Sequence, residues 1–87
     1  MMIDKIEKYR DEMQGRIYKH FKGTRYIVLD VALHTEREEI LVAYKNFDSP
    51  DILFVRPIEM FLSKVDKSKY PNAKQEYRFE PLRCNDD

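Results

Sequence analysis

The run Tyr26-Ile27-Val28-Leu29-Asp30-Val31-Ala32-Leu33 constrains this chain more than any other feature, being rich in β-branched and aliphatic residues with a single charge. Such a run reads as a well-buried β-strand. A buried strand needs partners, and the sequence supplies them at short intervals. Before it, Ile17, Lys19 and Phe21 alternate with Tyr18, His20 and Lys22, the period of a half-buried strand, and Gly23-Thr24 turns the chain. After it, the polar stretch Thr35–Glu39 reads as a hairpin connection leading into a third strand, Ile40–Lys45. Asp48-Ser49-Pro50-Asp51 marks a loop, and Ile52–Arg56 a fourth strand. Pro57 must end that strand or leave it at an edge, because proline donates no ladder hydrogen bond. It suits the first turn of a helix, so Ile58–Leu62 is expected to be one helical turn with Ile58 and Phe61 or Leu62 against the core. Ser63–Val65 starts a further short strand, Tyr70-Pro71-Asn72 turns a Lys-rich excursion, and Tyr77–Leu82 closes the series. Strands this short and this regularly punctuated, in 87 residues, predict a mainly β domain: a small barrel of about five or six strands.

The first residues follow a different rule. Ile6, Tyr9 and Met13 recur among charges at helical spacing, without Gly or Pro, which predicts an amphipathic helix over 3–13 that stops at Gly15. Its apolar stripe is thin, so it must dock on the domain or on another chain to persist. The expected organisation is a helix over 1–14, a β domain over 15–82 and a flexible tail over 83–87.

Composition narrows the partners. Sixteen Lys and Arg balance sixteen Asp and Glu, whereas a non-specific polyanion binder normally carries a clustered basic excess. The balance is uneven: residues 1–25 hold seven basic against four acidic side chains, residues 26–60 three against seven, and residues 61–87 six against five. Nucleic acid is therefore a possible partner that the net charge does not favour, beside a protein, a peptide or a small anionic ligand. Cys84 is the only cysteine, which excludes an internal disulfide and a two-cysteine zinc site and makes the cytoplasm the natural compartment. No apolar run has the length of a membrane span.

The ordered motifs Gly15-x-x-Tyr18-x-His20-Phe21-Lys22-Gly23, Tyr26-x-Val28-Leu29, Ala32-x-His34-Thr35-Glu36, Leu41-Val42-x-Tyr44, Val55-Arg56-Pro57-x-Glu59-Met60-Phe61 and Arg78-Phe79-Glu80-Pro81 resemble the DUF1653 family of small bacterial domains. The resemblance implies an SH3-like β-barrel with no established activity. The segment Lys67–Gln75 is longer than is usual there, and the N-terminal helix lies outside the match.

No catalytic constellation stands out. His20 and His34 are the only imidazoles, with no spacing that prepares a metal site, and packing is the plainer role for each. The two glycines form no phosphate loop, and Cys84 has no base beside it. We expect no cofactor and a non-catalytic binding module, with Tyr18, His20, Lys22, Tyr44, Arg56 and Glu59 as the candidate ligand-binding residues: aromatics for stacking, Arg56 for an anion, Glu59 to orient it. Two rivals are a nucleic-acid-binding barrel and a small enzyme using His20 with Glu59 or His34 as acid and base.

Overall fold

The computed structural model describes residues 2–82, so Cys84 and the expected tail lie outside the described residues. Helix α1 (Met2–Met13) is followed by strands β1 (Ile17–His20), β2 (Arg25–His34), β3 (Glu39–Asn46) and β4 (Leu53–Pro57), the single turn α2 (Ile58–Phe61) and strand β5 (Phe79–Pro81). The five strands form one antiparallel sheet in the order β4-β3-β2-β1-β5. The expected strand at Ser63–Val65 reduces to an isolated bridge between Lys64 and Tyr77, and the last strand is shorter than the sequence pattern predicts. Val65 beside it is buried, but the other neighbours, Ser63, Glu76 and Arg78, are polar and add no apolar burial that would extend the pairing.

One face of the sheet carries the core. Val28 and Val31 of β2, Val42 and Tyr44 of β3, Tyr18 of β1 and Phe79 of β5 are buried with Ile58 and Phe61 of α2. Pro57 at φ −54° and ψ 137° makes the step from strand to helix, which turns Ile58 and Phe61 inward and leaves Leu62 exposed. The Phe61 and Phe79 rings stack in parallel with centroids 4.1 Å apart, while Tyr18 and Tyr44 meet Phe61 edge-on at 5.2 and 5.4 Å. Such ring pairs add to the burial of their large apolar area. The sheet curls around this cluster. As a result the guanidinium of Arg56 on β4 lies 5.6 Å from the ring of Phe79 on β5, although these strands occupy opposite ends of the sheet order.

Helix α1 docks on its own domain. Ile6 and Met13 are buried in the core, and a β-bulge between Val28 and Asp30 brings unpaired backbone within the helix's reach. Gln14 Nε2 donates to the Leu29 carbonyl at 3.1 Å, Arg10 Nη2 to the Val31 carbonyl at 3.1 Å and Arg10 Nε to Asp30 at 2.7 Å. This guanidinium and the Val31 N–H hold the Asp30 carboxyl below its ordinary value. Gly15, at φ 79°, ends the helix in the left-handed region that other side chains rarely adopt.

Candidate functional site

The β1–β2 turn, the end of β4 and the long connection to β5 converge on one cleft. His20 is the last residue of β1, and Gly23, at φ 105°, closes the turn with its N–H on the His20 carbonyl at 2.8 Å. The turn is tied to the approach to β5 because the Phe21 N–H donates to the Arg78 carbonyl at 3.0 Å. The Arg78 N–H in turn donates to the Ser63 carbonyl at 2.9 Å, and that of Val65 to Glu76 at 2.9 Å, pinning both ends of the loop. Its tip is organised internally: Asp66 accepts from the Ser68 amide and hydroxyl, the Tyr70 N–H reaches the Asp66 carbonyl, and Lys67 Nζ donates to the Ala73 carbonyl.

The resulting cleft, about 300 Å³, is lined by His20, Phe21, Lys22, Arg56, Val65, Asp66, Lys69, Tyr70 and Arg78. Four permanent cations face one carboxylate. Among the described residues, Lys22, Arg56, Lys69 and Arg78 make no ion pair within 4.0 Å, whereas Arg10, Arg25 and Lys64 are each paired with a carboxylate. Arg56 spends its Nε on the Tyr44 hydroxyl at 3.1 Å, which leaves its two terminal amino groups for another acceptor. Lys22 Nζ lies 5.2 Å from the Tyr70 ring centroid and 5.8 Å from that of Phe21, close enough for cation–π attraction.

His20 reports the field of this cleft. Its ring rests on Phe21 and Phe79 at centroid distances of 4.4 and 4.9 Å, and its Nδ1 accepts the Lys22 N–H at 3.1 Å, so the neutral ring carries its proton on Nε2. Burial, and then the charges of Arg56, Lys22 and Arg78, hold its pKa below the ordinary value of 6.5. The sign follows directly. Because the folded state binds this proton less readily than the unfolded chain, His20 contributes stability above pH 6.5 that is lost as pH falls through the folded value. Proton NMR of the ring should give a midpoint below 6.5, and His20→Gln should flatten the decline of Tm on the acid side of neutrality; a midpoint at or above 6.5 contradicts the geometry.

The six residues singled out in the sequence do not share one place. His20, Lys22 and Arg56 meet in the cleft. Tyr18 and Tyr44 are only 5% and 4% exposed, so their rings serve the core and offer no stacking surface, although the Tyr44 hydroxyl positions Arg56. Glu59 lies beyond the strand-to-helix step and lines a different cavity, with Lys5, Arg37 and Glu38. His34 closes β2 at the β2–β3 turn, its Nδ1 accepting the Arg37 N–H at 3.3 Å. Neither expected acid–base pair is assembled in the cleft. Sequence reasoning does not reach Asp66, Lys69, Tyr70 or Arg78 as site residues. The Lys-rich excursion around Tyr70 is the available signal. Among the described residues, no three His, Cys, Asp or Glu side chains gather where a metal ion could bind, and no helix is long and apolar enough to cross a membrane.

These features define a small, mainly β domain with an aromatic core and a cationic cleft between turn, strand end and loop. The chain belongs to the family described as "Protein of unknown function (DUF1653)", whose model matches residues 16–81. Its fold is similar to a crystal structure of a DUF1653 protein from Bordetella bronchiseptica, with a TM-score of 0.66, 23% identity, and coverage of 84% of this chain and 91% of that one. A search of curated proteins found no match. Helix α1 precedes the matched segment, while the loop that supplies Asp66, Lys69 and Tyr70 falls within it.

Proposed function

We propose that the domain is a non-catalytic binding module of SH3-like barrel type that holds an anionic ligand in the cleft between His20, Lys22, Arg56, Lys69 and Arg78. The single observation that carries this reading is the convergence on one cleft of four cations that make no ion pair among the described residues, in a chain of zero net charge. Gathering like charges costs energy unless solvent or a ligand compensates, and an anion entering between them makes charge-assisted hydrogen bonds. Arg56 is prepared for that role because the Tyr44 bond fixes its side chain. The sheet order, with a helical turn between β4 and β5, is consistent with the SH3-like topology. A single cysteine in the sequence suits a reducing, cytoplasmic setting. An amide NMR titration with inorganic phosphate at low salt tests the reading. Expected are saturable shifts at Lys22, Arg56, Lys69 and Arg78 together with a raised His20 midpoint, as the anion offsets the neighbouring cations; unmoved signals at millimolar phosphate would defeat it.

A further inference from the structure

The cationic cleft is not a closed compartment. Phe21, Lys22, Lys69 and Tyr70 also line a neighbouring cavity of about 360 Å³ that continues over Pro71, Asn72 and Ala73. The two spaces differ in chemistry. Both share the Phe21 and Tyr70 rings and the two lysines; the first adds the Arg56 and Arg78 guanidinium groups, whereas the second adds Pro71, Asn72 and Ala73 and no further charge. Tyr70 is 38% exposed and meets Phe21 at a centroid distance of 4.9 Å, so it remains accessible while its neighbour braces it.

We propose that the joined cavities hold a nucleotide unit, its phosphate among Lys22, Arg56 and Arg78 and its base against Tyr70 and Pro71. This rests on the anion-binding reading of the same cleft and names the class of ligand. Three features point to a base. Flat rings at the border of a cationic cleft offer stacking to any nucleobase without regard to its sequence. Asn72 both donates and accepts hydrogen bonds, which matches the mixed polar edge of a base and serves no purpose toward an acyl chain. Lys22 and Lys69 line both cavities, where a sugar-phosphate linkage would pass. Arg56 and Arg78 supply the forked geometry that suits phosphate oxygens. The loop that carries Lys69, Tyr70 and Asn72 is held by the Asp66–Ser68 and Lys67–Ala73 bonds, which reduces the ordering cost on binding. Asp66 opposes an anion, yet its carboxylate is engaged with Ser68 and the cleft remains net positive.

Zero net charge is compatible with this ligand because the attraction is local. A free nucleotide and a single strand of nucleic acid present the same unit, and the experiment separates them. Calorimetric titrations of the full chain at low salt would compare inorganic phosphate, AMP and an eight-residue oligothymidylate. AMP is expected to bind about tenfold more tightly than phosphate, the gain coming from stacking on one ring. Tyr70→Ala should bring the ratio of AMP to phosphate affinity close to one, whatever it does to phosphate binding through Lys22, and leave the circular-dichroism spectrum unchanged. An oligothymidylate tighter than AMP supports the strand as source, and AMP equal or tighter supports the free nucleotide. Equal affinity for phosphate and AMP overturns the nucleotide proposal and leaves the anion reading standing; no binding of any of the three overturns both.

Discussion

Phe61→Ala is expected to lower Tm by more than about 12 °C, and to leave much of the chain unfolded at about 37 °C. Phe61 has no exposed surface, and three aromatic rings close around it: Phe79 in parallel stack, Tyr18 and Tyr44 edge-on. Truncating a buried phenylalanine costs about 3–5 kcal/mol through lost burial and the cavity left behind. A domain of this size has little reserve, since folded domains are stable by only about 5–15 kcal/mol and small ones tend to the low end. Each kcal/mol moves Tm by roughly 4–8 °C in a domain of 60–100 residues. The damage also spreads, because Phe61 lies between β1, β3 and β5 and keeps the curled sheet closed over α2. Leu62→Ala provides the control. Leu62 is adjacent in sequence and 40% exposed, so its truncation should cost far less, close to the roughly 0.5 kcal/mol of ordinary surface changes. Thermal melts of the two variants followed by circular dichroism decide the matter, and a Phe61→Ala melt within a few degrees of the parent would refute the assignment of the core.

The same residues explain what the sequence disclosed. Ile58 is legible because Pro57 announces a helix start; the helical turn leaves Phe61 and Leu62 as alternatives, and the fold buries Phe61. Strands β2 and β3 are legible from composition alone. The bulge at Val28/Asp30 is not: one extra residue in a ladder is fixed by the partner strand and by α1, neither of which a local pattern records. Alternation in Ile17–Lys22 separates two faces without saying which is buried, so Tyr18 reads as a surface residue in the sequence and is part of the core in the fold. Arg56 and Glu59, three apart, look like neighbours. The change from strand to helix at Pro57 instead sends them to different cavities. Tyr70 and Arg78 are the hardest to place, because residues 66–78 have no period and reach the end of β1 through long-range contacts that no local pattern records, such as the Phe21 N–H on the Arg78 carbonyl and the Tyr70 ring on Phe21.

The binding consequence of that convergence should be the second large effect: Lys22→Gln combined with Arg78→Gln is expected to weaken binding of the anion about a hundredfold or more without lowering Tm appreciably. The pair is chosen for separability. The hydrogen bonds that Arg78 and Lys22 contribute to the fold come from the backbone, through the Arg78 N–H and carbonyl and through the Lys22 N–H on His20, and glutamine retains them. Arg56 is a poorer probe, since its removal would also strip the Tyr44 hydroxyl of its partner. A hydrogen bond to a charged group contributes about 1.5–3 kcal/mol, so removing two together exceeds a factor of about one hundred. For an oligonucleotide ligand the salt dependence should change as well, its logarithmic slope falling by about 0.7 for each phosphate that is no longer neutralised. Arg37→Gln, in the cavity that contains Glu59, removes a charge of the same sign elsewhere on the surface and should leave affinity nearly unchanged. Since the double variant removes two charges and Arg37→Gln one, losses in proportion to the charge removed would show that attraction follows overall charge; a loss confined to Lys22 and Arg78 assigns it to the cleft, because screening limits the reach of a distant charge to about 10 Å at moderate salt whereas groups lining the cleft act directly on the ligand.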